Sequence, residues 1–199
     1  VYYPMILPHC PFVPTPGTPD YDPKSPGSPG YKGDANYFKN MVEHVDKLVG
    51  RIVSKVDALG LSEKTLIVFT GDNGTDSPVV TSWKGKKIAG GKGRGGHDSG
   101  VRTPFFVTMP GTVQAGKVSG ELVDFADLLP TFCELSKIDF SADKNLDGVS
   151  LLPSLTGKGE REKPWSYLFY SRNDGSRQAS SVVVRNTTHL VFRKGGPTK

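Results

Sequence analysis

The chain has 199 residues and a formal net charge of +5; 36% of its residues are hydrophobic, and it contains 24 glycines and 16 prolines. A chain of this length can fold as one domain with its own core, but its glycine and proline content predicts that much of it is loop. No stretch approaches the roughly 20 consecutive apolar residues that cross a bilayer, so we expect no membrane-spanning helix. The basic charge favours anionic partners, and nucleic acid is not expected among them because no recognition motif accompanies the charge.

The first 33 residues are predicted to be extended chain and loop. Within them, His9 lies between Pro8 and Pro11. A histidine held near a leaving oxygen can act as a general acid, although a lone histidine is more often not catalytic. The two cysteines, Cys10 and Cys133, are predicted to be free thiols, because their spacing gives no reason to pair them.

Hydrophobic residues recur every three or four positions from Ala35 to Leu59, which predicts an amphipathic helix. Asp34 is the expected N-cap of this helix, and Gly60 is the expected residue at which it ends. His44 lies within the helix. We expect it on the surface or in packing rather than in catalysis.

Two continuous runs of apolar and β-branched residues, Thr65–Thr70 and Phe105–Met109, are each followed by a turn sequence. Such runs are typical of strands buried in a sheet that is covered on both faces. A helix followed closely by such a strand indicates an α/β fold. The glycine- and lysine-rich segment between the two strands is too long for an ordinary connection, so we predict that it is a functional or disordered loop.

Asp72 and Asn73 follow the first of these strands and are therefore expected at the carboxyl edge of the sheet, where open α/β folds bind ligands. A carboxylate beside a carboxamide offers two hard oxygen ligands of the kind that Ca²⁺ and Mg²⁺ prefer. The same two residues followed by glycine are also a common turn sequence. On their own they leave both interpretations open.

Lys92 lies in the glycine-rich run Gly90–Gly96. Glycines allow backbone amides to approach an oxyanion, and the lysine adds a compact positive charge. The run lacks the spacing of a phosphate-binding P-loop, and a flexible surface loop is the alternative interpretation. A second basic group, Trp83–Lys87, is either a solvated face or part of a positively charged approach for anionic substrates.

In the C-terminal part, a helix is predicted around Phe125–Leu135, either kinked by Pro130 or beginning near Asp127. Three short strands separated by turns then predict a small antiparallel sheet: Ser166–Ser171, Ser180–Arg185 and Thr188–Arg193. We therefore divide the chain into a main domain, residues 1–155, and the start of a small antiparallel-sheet subdomain, residues 156–199.

Several short motifs occur along the chain in one particular order: Pro8–Phe12, Phe69–Gly74, Lys92 with its glycines, Asp98–Val107, Asp124–Phe132 and Asp147–Leu151. Together they resemble the type I sulfatases of the alkaline phosphatase superfamily, and the resemblance covers most of the chain. It implies an α/β fold that is part of an alkaline-phosphatase-like sandwich, with a mostly parallel central sheet followed by a small antiparallel C-terminal sheet. Ser99 departs from the family pattern, which usually has glycine there.

The resemblance also implies roles for individual residues. Asp72 and Asn73 would be two ligands of one metal ion, with Ca²⁺ expected in preference to Mg²⁺. Lys92 would hold the sulfate and stabilise charge on the bridging oxygen, and His9 would contact the sulfate or protonate the leaving alcohol. The expected reaction is hydrolysis of a sulfate ester of a small molecule or carbohydrate. The family further implies a secreted, periplasmic or lysosomal protein.

The nucleophile of this family is a formylglycine, made from Cys or Ser within Cys-x-Pro-x-Arg, and neither Cys10 nor Cys133 lies in such a sequence. The paired aspartates that complete the family's metal shell are also missing. We therefore expect the chain to be a C-terminal part of the catalytic domain, inactive when isolated, with the nucleophile encoded upstream. The alternatives are a phosphate or phosphonate monoester hydrolase of the same superfamily and a non-catalytic binding or structural derivative.

Overall fold

The computed structural model describes residues 1–93, 98–139, 146–163, 166–173, 178–185 and 190–195. The chain forms two compact units. The first consists of Val1–Thr65 with Phe69–Phe105, and the second consists of Leu66–Val68 with Phe106–Lys199. The four residues that the sequence suggests as ligands or acid–base groups, His9, Asp72, Asn73 and Lys92, all belong to the first unit.

The main helix of the first unit confirms the prediction for Ala35 to Leu59. A short 3-10 turn, Ala35–Tyr37, leads into helix α1, Phe38–Ala58. Asp34 caps the beginning by accepting an amide hydrogen bond of 2.9 Å. Gly60 lies just beyond the end with φ +66°, a conformation that glycine adopts without steric cost.

The core of the first unit is small and joins three segments. Cys10, Phe12, Met41 and Val79 are buried together, and Phe12 also packs edge-on against Phe38 with ring centroids 5.8 Å apart. Phe12 comes from the N-terminal segment, Met41 from α1, and Val79 from the chain that follows the Asp-Asn pair. Burial of these side chains therefore holds the N-terminal segment and that loop against α1.

Strand β1, Ile67–Thr70, pairs with strand β4, Phe105–Thr108, in a two-stranded sheet. Both strands lie within their predicted ranges. The prediction that they are buried on both faces is wrong, because β1 is half-buried throughout and half-buried residues alternate with exposed ones in β4. Among the described strands this sheet has only these two members, which is too narrow for enclosure on both faces. A larger, mostly parallel central sheet stays a prediction.

The glycine- and lysine-rich segment contains a β-hairpin that the sequence analysis did not predict. Strand β2, Val80–Trp83, pairs antiparallel with strand β3, Lys86–Ala89, through a two-residue turn. All residues of both strands are exposed, so they lack the alternation of apolar and polar residues by which strands are usually recognised. The short helix α2, Asp98–Val101, follows.

The second unit matches the prediction for the C-terminal part closely. A 3-10 turn, Phe125–Asp127, precedes helix α3, Leu128–Leu135, so Pro130 lies in the first turn, where proline is tolerated. Helix α4, Leu152–Thr156, follows. Three strands form an antiparallel sheet in the order β5-β6-β7: Ser166–Asn173, Gln178–Arg185 and Leu190–Gly195. The first residues of the third predicted strand, Thr188 and His189, lie outside the described residues.

A group of buried charges holds the start of α3 to the chain after α4. Asp127 is fully buried and contacts Arg161 at 2.8 Å and Lys163 at 2.6 Å, both of whose side chains are almost completely buried. Lys163 also contacts Asp124 at 2.6 Å, and the Arg161 guanidinium donates to the carbonyl of Leu122 at 2.6 Å. Because charges out of water are costly unless paired, this arrangement fixes the segment that carries Arg161 and Lys163.

Cys10 and Cys133 are both free and buried, as the sequence predicts. Among the helices of the described ranges, none combines the length and the apolar character needed to cross a bilayer.

Candidate functional site

The loop that carries Asp72 and Asn73 begins directly after β1 and is held by a close backbone contact. Asp72 is exposed and Asn73 is half-buried. The next residue, Gly74, is buried, and its amide donates to the carbonyl of Gly100 at 2.9 Å. A Cβ atom on Gly74 would lie 2.0 Å from the carbonyl oxygen of Ser99, so only glycine lets α2 approach this loop so closely. The turn is therefore fixed by packing.

Lys92 is brought to the same loop by its backbone. Its amide donates to the carbonyl of Thr75, two residues after Asn73, at 2.9 Å, and its side chain is half-buried. Gly90 and Gly91 pack tightly, because a Cβ atom would lie 2.0 Å from the Asp76 carbonyl oxygen in the first case and 2.1 Å from Ser99 Oγ in the second. These glycines therefore allow three segments to meet. The remainder of the run, residues 94–96, lies outside the described residues.

His9 is exposed, and its Nδ1 lies 2.6 Å from the carbonyl oxygen of Cys10. In the described part of the chain, no hydrogen bond or ion pair joins its ring to Asp72, Asn73 or Lys92. The structure therefore brings Lys92 and the Asp-Asn pair together through the backbone, whereas His9 is connected to them through other residues of its segment.

Asp76 is a residue that the sequence analysis missed, and it links these segments. Its carboxylate pairs with Lys32, whose carbonyl accepts a hydrogen bond of 2.8 Å from the amide of Phe12. Burial raises the pKa of Asp76, but the hydrogen bond from Lys32 and contacts with a backbone amide and the Cys10 thiol outweigh it, so the pKa lies below its usual value. The same hydrogen bond raises the pKa of Lys32. Both groups are thus charged at neutral pH, and they join the His9 segment to the Asp-Asn loop.

No simple sequence signal identifies this pair. Lys32 and Asp76 are separated by 44 residues, and neither belongs to a recognisable motif. Only the position of Asp76, three residues after Asn73 and beside the glycine turn, marks it as a neighbour of the candidate ligands.

The donor atoms of Asp72 and Asn73 fit a hard cation in kind but not in number. A carboxylate and a carboxamide supply oxygen ligands, whereas Ca²⁺ takes about six to eight of them. Within the described ranges, no group of three or more His, Cys, Asp and Glu side chains is arranged to hold a metal ion. The two residues can thus form part of a metal shell, and other oxygen ligands would have to complete it.

Two protein-family models match the chain. The one described as Sulfatase matches residues 2–138, and the one described as N-sulphoglucosamine sulphohydrolase, C-terminal, matches residues 93–192. The first covers all four candidate site residues, and the second covers α2, β4 and most of the C-terminal part. Their overlap shows that sequence similarity to sulfatase domains is continuous through the chain.

Curated relatives agree with these matches. Steryl-sulfatase of Mus musculus is 32% identical over 153 residues, which are 73% of this chain and 24% of that protein. Arylsulfatase H of Homo sapiens is 36% identical over 127 residues, or 61% and 22% of the two chains. N-acetylgalactosamine-6-sulfatase of Canis lupus familiaris is 32% identical over 140 residues, or 69% and 26%. The chain therefore spans about a quarter of the length of the curated relatives that it matches.

Solved structures show the same fold. A 2-O GAG sulfatase superposes with a TM-score of 0.65 at 20% identity, covering 80% of this chain and 33% of that one. Ps i-CgsB, crystallised in complex with k-i-k-neocarrahexaose, superposes with a TM-score of 0.63 at 22% identity, covering 94% and 41%. At this level of identity the superpositions show the fold alone. The family is shown by the sequence matches, which extend over more than half of the chain. The chain belongs to the sulfatases.

Proposed function

We propose that the full-length gene product hydrolyses sulfate esters, and that this chain contributes the groups that bind the sulfate. One observation carries the proposal: the backbone hydrogen bond from Lys92 to Thr75 holds a lysine beside the Asp72-Asn73 loop, at the end of β1, in a chain of the sulfatase family. A cation and hard oxygen ligands at one place are what cleavage of an anionic ester requires.

Cleavage of a sulfate ester moves negative charge onto the oxygen that leaves sulfur. In our proposal the Lys92 ammonium stabilises that charge, and its half-buried position strengthens the interaction relative to bulk water. His9 is exposed and could donate a proton to the leaving oxygen once substrate binds, because acid–base contacts often tighten only in the complex. A formylglycine nucleophile would come from outside these 199 residues.

Asp72 and Asn73 are proposed as two ligands of one Ca²⁺, which when bound would neutralise sulfate oxygens as a Lewis acid. Asp72 is exposed and Asn73 half-buried, so their oxygens can be reached from solvent. The backbone bond of Gly74 to Gly100 fixes the loop before any ligand binds. A fixed loop lowers the entropy cost of assembling a metal shell.

We also propose that residues 1–155 belong to the catalytic domain and that residues 156–199 begin the small antiparallel-sheet subdomain. A secreted, periplasmic or lysosomal location is part of the same proposal. The substrate is proposed to be a sulfated small molecule or carbohydrate. The names of the relatives include both kinds, steryl-sulfatase and N-acetylgalactosamine-6-sulfatase.

The direct test compares two chromogenic esters with the full-length gene product. We expect turnover of 4-nitrophenyl sulfate in the presence of Ca²⁺, and a much lower kcat/KM for 4-nitrophenyl phosphate. A preference for the phosphate would assign the protein to the sister activity. If neither ester is turned over although the gene encodes Cys-x-Pro-x-Arg or Ser-x-Pro-x-Arg upstream, the proposal of catalysis is wrong.

Replacing Asp72 with alanine in the full-length gene product is expected to weaken Ca²⁺ binding by about 10-fold or more, since even residues that only support metal ligands contribute this much. The loss follows from removing the one carboxylate among the two proposed ligands. Isothermal titration with CaCl₂ measures it directly. Asp46→Ala, on the exposed face of α1, is the matched control and should bind as the unaltered protein does. An unchanged isotherm for Asp72→Ala would remove this residue from the metal site.

A further inference from the structure

The hairpin formed by β2 and β3 is unusual because it exposes an aromatic residue and several lysines. Every residue of the two strands is exposed, and Trp83 exposes 65% of its surface. An isolated two-stranded hairpin gains little stability in water. An exposed apolar patch rimmed by polar residues can mark a binding surface, and Ile88, which is 42% exposed, adds to Trp83 here.

The register of the hairpin places its tip and its base on one face. Trp83 lies opposite Lys86, and Thr81 lies opposite Ile88. Because side chains alternate between the two faces of a strand and opposite residues share a face, these four residues lie on the same face of the ribbon. Trp83 and Lys86 form its outer end, and Thr81 and Ile88 form its inner end.

The inner end of this face opens into a cleft beside the candidate site. The cleft has a volume of about 460 Å³ and is open to solvent; its lining includes Thr81, Ile88, Thr75, Gly90 and Ser99. Thr75 accepts the backbone hydrogen bond of Lys92, and Ser99 packs against the glycine that precedes Lys92. A continuous surface therefore leads from the neighbourhood of Lys92 along the hairpin to Trp83.

The outer end of the hairpin is positively charged. Lys84, Lys86 and Lys87 are all exposed, and the chain from Ser77 to Lys92 contains no acidic residue. Lys84 adopts φ +49° in the turn, a backbone conformation that residues other than Gly, Asn and Asp rarely adopt. Its Nζ lies 5.7 Å from the Trp83 ring centroid. The Lys84 ammonium thus lies beside the indole, and Lys86 shares the face of Trp83, whereas Lys87 lies opposite Ser82 on the other face.

We propose that this hairpin is an outer subsite for a sulfated oligosaccharide, whose scissile sulfate ester is held near Lys92; the inference rests on the proposed function. The indole of Trp83 offers a flat apolar surface for the CH face of a sugar ring. The lysines offer charge partners for sulfate groups on neighbouring sugars. A sterol or aryl sulfate carries one anionic group, which Lys92 would already bind, so it would leave the three hairpin lysines without a function.

The test measures binding and turnover separately in the full-length gene product. A heparin tetrasaccharide serves as the sulfated probe, and a hyaluronan tetrasaccharide serves as the unsulfated one. Trp83→Ala is expected to raise the Kd for the sulfated probe about 3- to 10-fold, the size of one aromatic contact. Trp83→Phe should retain most of the affinity. Neither variant should change kcat/KM for 4-nitrophenyl sulfate, because this small ester does not reach the hairpin.

The lysines are tested by the double variant Lys86→Ala/Lys87→Ala. Its Kd for the heparin tetrasaccharide should rise several-fold at low salt, and the difference from the unaltered protein should shrink as salt is added, because exposed charge pairs are screened. Lys55→Ala/Lys64→Ala removes the same charge from exposed positions in α1 and in the 3-10 turn after it, and should bind as the unaltered protein does.

Three results would overturn the inference. They are unchanged heparin binding in Trp83→Ala, equal binding of hyaluronan and heparin fragments, and hairpin variants that lose affinity only for anionic vesicles or single-stranded RNA. If hairpin variants leave oligosaccharide binding unchanged while 4-nitrophenyl sulfate is still turned over, the subsite is wrong and the proposed function stands. If the ester is not turned over but oligosaccharide binding depends on Trp83, the hydrolase proposal fails and the saccharide surface stands.

Discussion

Replacing Lys92 with alanine in the full-length gene product is expected to lower kcat for 4-nitrophenyl sulfate by about 100- to 1000-fold, the usual effect of removing one group that stabilises developing negative charge. Lys92 is half-buried, and its backbone amide donates a hydrogen bond to Thr75, which holds the residue beside the Asp-Asn loop. A group that acts mainly in the transition state lowers kcat and kcat/KM together, whereas one that only binds substrate raises KM. Steady-state kinetics on both parameters therefore distinguishes the two roles.

Lys64→Ala is the control for Lys92→Ala. It removes the same side chain from an exposed 3-10 turn before β1 and should leave both kinetic constants unchanged. Lys92→Arg keeps the charge on a larger, planar group and is expected to recover only part of the activity. Wild-type kcat in Lys92→Ala, with the fold intact, would show that this residue lies outside the site.

The sequence predicts the elements that bury at least part of their surface. Apolar residues at helical spacing identify α1 between Asp34 and Gly60, and continuous apolar runs identify β1 and β4. The sequence does not predict the β2–β3 hairpin, because every residue of its strands is exposed. In addition, lysine rather than asparagine occupies the first left-handed position of its turn. Periodicity reports burial, so an element that buries nothing leaves no periodic signal.

The candidate site can likewise be predicted only in part from the sequence. Chemistry alone leaves Asp72 and Lys92 with more than one interpretation, and the resemblance places them in one site, which the backbone bond to Thr75 supports. The sequence predicts that the glycines around Lys92 let backbone amides approach an oxyanion, and this stays a prediction. It does not predict that Gly74 and Gly91 pack closely against Ser99. Contacts of this kind depend on segments distant in sequence, and no local pattern encodes them.

The largest expected loss of stability follows from Asp127→Asn. The Asp127 carboxylate is fully buried and accepts three hydrogen bonds: from Lys163 at 2.6 Å, from the Val149 amide at 2.9 Å and from the Asp124 amide at 3.0 Å. It also forms an ion pair with Arg161 at 2.8 Å. Asparagine replaces one oxygen with a donor and removes the negative charge from two buried cations. We expect the free energy of unfolding to fall by about 3–5 kcal/mol, the usual cost of breaking a buried ion pair.

This stabilisation has a defined pH range. Burial alone raises the pKa of Asp127, but hydrogen bonds from Lys163, Val149 and Asp124, together with the charge of Arg161, lower it below its ordinary value. Because the folded-state pKa is the lower one, the stabilisation is fully present above the unfolded pKa, about 3.9, and is lost as the pH falls through the folded pKa. The difference in stability between the unaltered protein and Asp127→Asn should thus be constant from neutral pH to about pH 5, and should shrink below about pH 4.

The variant Asp124→Asn distinguishes the contribution of the buried Asp127 charge to stability from that of its neighbour Asp124. Asparagine caps a helix as well as aspartate does, the Asp124 side chain is 19% exposed, and its partner Lys163 keeps its contact with Asp127. Urea unfolding of the full-length gene product measures both losses. For Asp124→Asn we expect the free energy of unfolding to fall by about 1 kcal/mol, several-fold less than for Asp127→Asn. Equal losses for the two variants would mean that the buried Asp127 carboxylate contributes no more than the Asp124 cap to holding Lys163 against α3.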